Sequence, residues 1–337
     1  MTTPSSPSRA EELLREAIEM GAEELYLQAD GERTKVRYRV AGRIVQKLTG
    51  FISDAQSMFA ELKSFVTQQV FADENEGMGY FSFSAPERTV WIRVYWFRDE
   101  DADSLAISLL ERWVGFDDLG LSLRDAATLD ELISAPHGVI IGCGKARDGH
   151  ATTLKALLER LVQNGKRVVL LAGLPDPRLE NVTQIDVASG DLSEHIELLA
   201  GHFDVFALEA LDSNEKMRVA FDLAAEGHLV LALYETPYLG AALDDFLNSG
   251  ISAAELRAHF LGGWSQTLVP HSNQQERIGL FHCMSREAAQ AQILDGTGAN
   301  MNAIVKEEKK ALRRDAEEKI AAGLVTPEDA DRIISQA

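Results

Sequence analysis

The sequence predicts an α/β chain in two parts: a mixed module built on an antiparallel sheet, then a core with a mostly parallel sheet that finishes in helices. Stretches before residue 115 alternate with period two and are rich in aromatic and β-branched residues. Between 138 and 235, four short apolar runs are separated by amphipathic helical segments, the pattern of strands buried on both faces. The 337 residues suffice for two domains of ordinary size, and 45 % apolar composition suffices to bury a core.

Residues 1–9, rich in Ser, Thr and Pro, predict a disordered tail. A helix starts near Arg9, with Leu13, Leu14, Ile18 and Met20 on one stripe and Gly21 as its stop. LYLQAD and TKVRYRVAGRIVQKL predict strands, the second folded at its Ala-Gly turn. A helix is expected over 54–72. GYFSFSA and TVWIRVYWF predict a hairpin with Trp91, Tyr95 and Trp96 in its core, and a strand follows over 104–112. This first domain spans 10–115, and a second spans 116–337.

In the second part the apolar runs are 138–142, 167–173, 203–211 and 228–235, with helices near 152–164, 192–201 and 214–226 between them. Further helices are expected over 239–249, 253–263, 285–295, 300–321 and 326–336. KEEKKALRRDAEEK reads most simply as a solvated helix face.

The net charge of −20 repels phosphate backbones and disfavours nucleic-acid partners. Cys143 and Cys283 form no CxxC pair, which argues against a zinc site or a disulfide framework. No His spacing of the HxxxH or HExxH kind occurs, so no metal centre is expected. No apolar run reaches the length of a membrane span, and the N-terminus lacks a signal-peptide core. The expected location is the cytoplasm, docked at the inner membrane through partners if at all.

The segment GVIIGCGKARDGHATTL (138–154) carries the functional reading. An apolar strand runs into a Gly-rich loop and then a helix, the setting of a phosphate-binding loop. Gly144 and Gly149 have the required spacing, but His150 stands at the lysine position and Ala151 at the magnesium-binding hydroxyl. The candidate nucleotide-binding residues are Gly144, Lys145, Gly149, His150, Ala151 and Thr152. An imidazole is mostly neutral at pH 7, and an alanine offers a metal nothing. Lys145, Arg147 or Lys155 are candidate substitutes for the missing cation. The bland reading is an ordinary Gly-containing connection between strand and helix.

With that loop as anchor, the chain resembles the PilT/GspE family, the hexameric ATPases of type IV pili and type II secretion. GAEELYLQADGERTKVRYRVAGRIVQ matches its N-terminal stretch at Arg37, Arg39 and Gly42. TVWIRVYWF resembles the strand bearing a family arginine, here Arg93. LDELISAPHGVIIGCG, EGHLVLALYETP, LGGWSQTLVP, RIGLFHCMS and AGLVTPEDADRII follow in the family's order. The resemblance implies a PAS-like N-terminal domain and a RecA-like P-loop NTPase core with a helical C-terminal part.

Departures fall on the chemistry. Pro175 replaces the glutamate of the family's Glu-Asp-Pro box, while Asp176 and Pro177 remain. In the Walker B region Glu209 stands at the glycine and Ala210 at the glutamate, a one-residue shift of the carboxylate. Glu235 replaces the catalytic-box histidine, and Thr267 follows the retained Gln266 in place of an arginine. The resemblance therefore implies a non-hydrolysing subunit or regulator of a type IV pilus or type II secretion motor. Its partners would be an ATPase paralogue or the machinery itself, in a homo- or hetero-oligomer of hexamer-ring type. ATP and magnesium would bind weakly if at all. A slow ATPase using displaced residues and an interaction module without nucleotide are the alternatives.

Overall fold

The computed structural model describes residues 8–30, 33–47, 55–73, 75–86, 88–99, 102–110, 114–173, 176–187, 192–274, 276–293 and 301–336. Two compact units emerge: Met1–Trp113 with Asn273–Arg277, and Val114–Ser272 with Ile278–Ala337.

The first unit opens with α1 (Arg9–Glu19). Ser8 caps it: its hydroxyl accepts from Glu11 N–H while the Glu11 carboxylate accepts from Ser8 N–H. That reciprocal box orders Ser8 and Arg9, which the tail expectation had included; residues 1–7 lie outside the described residues. Then come β1 (Ala22–Asp30), β2 (Arg33–Val40), β3 (Arg43–Lys47), α2 (Ala55–Ser64), β4 (Gln68–Ala72), β5 (Glu76–Ser84), β6 (Thr89–Asp99) and β7 (Ala102–Leu110). The sheet order is β3-β2-β1-β7-β6-β5-β4. The helix expected over 54–72 stops at Ser64, and Gln68–Ala72 pairs with β5 instead. The run Phe65–Phe71 is aromatic and β-branched, and strand pairing wins over helix continuation there. Along β6, Val90, Ile92 and Val94 are buried in the core and Trp96 packs against it. By the two-residue period, Trp91 and Tyr95 face the other way, so only one of the three aromatics is core.

The second unit contains α3 (Leu123–Ile133), β8 (Gly138–Cys143), α4 (His150–Gln163), β9 (Val168–Ala172), β10 (Thr183–Asp186), α5 (Leu192–Leu199), β11 (Val205–Leu208), α6 (Asn214–Ala225) and β12 (Leu229–Tyr234). It closes with α7 (Leu239–Asn248), α8 (Ala253–His259), β13 (Phe260–Pro270), β14 (Arg277–Met284), α9 (Arg286–Ile293), α10 (Met301–Ala321) and α11 (Pro327–Gln336). The sheet order is β10-β9-β11-β12-β8-β13-β14, and the pairs from β10 through β13 are parallel. Strands β8, β9 and β11 are buried at every residue, as their unbroken apolar runs require. Val139, Ile141, Val169, Phe206 and Val230 join Phe221 and Phe246 of the covering helices in one core. Strands β10, β13 and β14 were not anticipated, and the helix expected over 253–263 ends at His259. Gly263 explains the switch: a Cβ there would stand 1.9 Å from Ile141 O, so glycine lets β13 run flush against β8. Among the described residues no helix is long and apolar enough to cross a membrane.

Candidate functional site

The site lies where β8 ends and α4 begins. Gly149 is the residue before α4 and takes φ +82°, a conformation open to glycine at no steric cost. Asp148 ties the loop together. Its Oδ2 accepts from Lys145 N–H at 3.1 Å, its own N–H donates to Lys145 O at 3.0 Å, and its Oδ1 accepts from the Thr267 hydroxyl at 3.0 Å. One loop amide is thus committed to an internal carboxylate. Lys145 and Arg147 are exposed on the loop.

His150 does not project outward as an extended cation would. Its ring folds back so that Nδ1 lies 2.8 Å from where a Gly144 Cβ would sit. That nitrogen is buried and has no hydrogen-bond partner among the described residues. Burial lowers the His150 pKa below its ordinary value, with Asp148 and Glu235 acting in the opposite direction. Burial thus favours the neutral imidazole. Ala151 is half-buried and Thr152 exposed in the first turn of α4. Buried Thr153 donates its hydroxyl to Gln266 Oε1 at 2.6 Å. Cys143, the last residue of β8, is fully buried and its thiol pKa is pushed well up by that burial, which leaves it a packing residue.

A second cluster lies at the ends of β9 and β11. Lys155 Nζ is 3.1 Å from Asp176 Oδ2 and 3.7 Å from Glu209 Oε1. Arg178 grips Asp176 with both arms of its guanidinium, Nε to Oδ1 at 2.9 Å and Nη2 to Oδ2 at 2.7 Å. Burial alone raises the Asp176 pKa, but Arg178 and Lys155 outweigh it and hold the carboxyl well below the usual range. Lys155 thus serves these carboxylates and does not turn to the loop. Glu209 is the first residue past β11 and its N–H donates to Leu171 O at 3.1 Å. With Gly173, Ala210, Asp212 and Lys216 it borders a cavity of about 250 Å³. Ala210 and Glu235 are exposed, the latter just past β12. Pro175 lies outside the described residues. In the first unit, Arg39 donates to Glu24 Oε2 at 2.7 Å and Arg93 to Ser108 Oγ at 3.2 Å.

The loop thus gathers Gly144, Gly149 and His150 with Asp148 and Gln266. Asp148 and Arg178 escaped sequence reasoning although both sit inside segments it had singled out, GKARDGH and LPDPRLE. An acid inside a phosphate loop and a base two residues past an aspartate were the available signals.

Comparison with known proteins agrees with this architecture. The chain is 26 % identical over 264 residues to the type II secretion system protein E of Pseudomonas aeruginosa, covering 76 % of this chain and 53 % of that one. Against the protein of the same name from Klebsiella pneumoniae, identity is 26 % over 275 residues, covering 78 % and 55 %. The chain spans about half the length of the curated relatives it matches. The structure of the Legionella pneumophila ATPase DotB superposes with a TM-score of 0.75 at 16 % identity, covering 99 % of this chain and 98 % of that one. The pilus retraction motor PilT with bound ADP gives 0.68 at 19 %, covering 96 % of each chain. These likenesses establish the fold, with a RecA-like P-loop core in the second unit. The family model for type II/IV secretion system proteins matches residues 7–332, and the chain belongs to that family.

Proposed function

We propose that this protein is a non-hydrolysing member of the secretion and pilus ATPase family, a subunit or regulator of a type IV pilus or type II secretion motor. It acts in the cytoplasm by joining a working ATPase of the same family, in a homo- or hetero-oligomeric ring, docked at the inner membrane through its partners. The observation that carries the reading is His150. Where the family places a cation for the terminal phosphates, an imidazole whose burial favours the neutral form is folded onto Gly144, its Nδ1 without a hydrogen-bond partner among the described residues. Ala151 beside it has no oxygen for magnesium, Asp148 brings a negative charge into the loop, and Asp176 and Glu209 face Lys155. Loss of one charge stabiliser from such a site costs about 100- to 1,000-fold in rate. Here the cation, the metal ligand and the Walker B glutamate are all replaced, so triphosphate with magnesium is a poor fit.

Isothermal titration of the chain with ATP and Mg²⁺ tests this. The expected result is a dissociation constant weaker than about 1 mM or no heat at all, near −4 kcal/mol of binding free energy at most. Micromolar affinity that depends on Mg²⁺ would reject the proposal. A slow ATPase using displaced residues has one feature in its favour, the Glu209 carboxylate at the rim of a cavity between strand ends. Its neighbour Lys155 argues against metal binding there.

A further inference from the structure

One side chain of α10, Glu308, makes its polar bonds inside the core. Glu308 is fully buried on that helix. Its Oε1 accepts from Leu239 N–H at 2.8 Å and from the Ser265 hydroxyl at 2.5 Å, and its Oε2 accepts from Gly240 N–H at 2.9 Å. Leu239 and Gly240 are the first residues of α7, and Tyr238 before them supplies no side-chain cap. The N-terminus of α7 is therefore capped by a carboxylate from far along the chain, which satisfies amides that a helix start leaves unpaired. The approach is close: a Cβ on Gly240 would stand 2.9 Å from Ile304 Cγ2 of α10.

Ser265 extends the connection. It pairs in register with Cys143, the last residue of β8, and the phosphate-type loop begins at the next residue. Its neighbour Gln266 emerges on the opposite face of the sheet, as consecutive strand residues do. There it receives the Thr153 hydroxyl at 2.6 Å, and its Nε2 lies 2.8 Å from where a Gly149 Cβ would be. A polar line thus crosses β13, from Glu308 through Ser265 and Gln266 to the first turn of α4.

We infer that Glu308 is a positioning residue through which the C-terminal helix α10 sets the conformation of the loop 144–149. The connection gives the C-terminal helices a means of acting on the loop, or of being acted on by it, whether or not nucleotide binds. A contact that pulls on α10 alters the loop by releasing Ser265 and the start of α7.

Hydrogen–deuterium exchange on the full chain tests the inference. Glu308→Ala is expected to accelerate exchange at 238–241 and, about tenfold, at 144–153, within the usual range of coupling between sites. Exchange in β9 and β11 stays at the wild-type rate. In a Gln266→Ala background the loop already exchanges fast, and adding Glu308→Ala changes 144–153 less than about twofold, because the line is cut before it reaches α4. Acceleration confined to 238–241 and α10, or an equal effect of Glu308→Ala in both backgrounds, would overturn the inference. Ser265→Ala and Glu308→Gln carry the same test where Glu308→Ala does not fold.

Discussion

Asp176 holds a charge cluster whose energetics are set by three side chains. Its carboxylate is buried against Lys155 and Arg178, each less than one-fifth exposed. Asp176→Asn leaves two cations facing a neutral group and is expected to cost about 2–3 kcal/mol in urea denaturation. The pH dependence has a defined sign. Because the folded-state pKa lies below the unfolded one, the contribution is fully present at neutral pH and is lost as pH falls below about 4. Melting temperatures measured from pH 7 down to pH 2 are expected to fall more steeply below pH 4 in the wild type than in Asp176→Asn. At the loop, His150→Lys restores a permanent cation. ATP affinity measured by titration is expected to rise about tenfold, one charge-assisted hydrogen bond's worth, and the proposed function predicts no turnover in this variant because Ala151 and Ala210 remain. That His150 and Ala151 stand at the lysine and hydroxyl positions of a phosphate-loop spacing was readable in GKARDGHA, because that spacing is fixed. The ring folded onto Gly144 and the Asp148–Thr267 bond, spanning 119 residues, were not readable, because nothing local brings those partners together.

Among the elements, β8, β9, β11 and β12 announced themselves as apolar runs between helices. Strand β13 did not. LGGWSQTLVP follows a helix with its own capping box at Ser252, and the helix expected over 253–263 took in both of its glycines. What makes it a strand is the backbone of β8, close enough that only glycine fits at 263. Gly263→Ala is expected to destabilise the second unit by about 3 kcal/mol in thermal or chemical denaturation, with overpacking at a backbone contact as the cause. Strand β14, next to β13, is fastened by side chains as well. Phe281 N–H donates to Asp315 at 2.8 Å and Cys283 N–H to Asp125 at 3.2 Å, while Lys319 donates to Gly279 O at 2.6 Å. Helices α3 and α10 thereby satisfy strand groups that would otherwise be left for another chain to pair with.

Across the whole molecule, the family's architecture carries His150 and Ala151 where the Gly-rich loop enters α4. The core strands, the bend at Gly149 and the helix that follows are present, with His150 and Ala151 as that helix's first two residues. Ion pairs with Lys155 and Arg178 hold Asp176, and Lys155 also lies 3.7 Å from Glu209. The proposed role then rests on shape and surface, and the chain is expected to co-migrate with a full-motif motor ATPase of the same system in size-exclusion chromatography. The most direct measurement is steady-state phosphate release by the purified chain with saturating ATP and Mg²⁺. The account predicts a rate equal to the protein-free blank. Sustained Mg²⁺-dependent release that disappears in Glu209→Gln would contradict it.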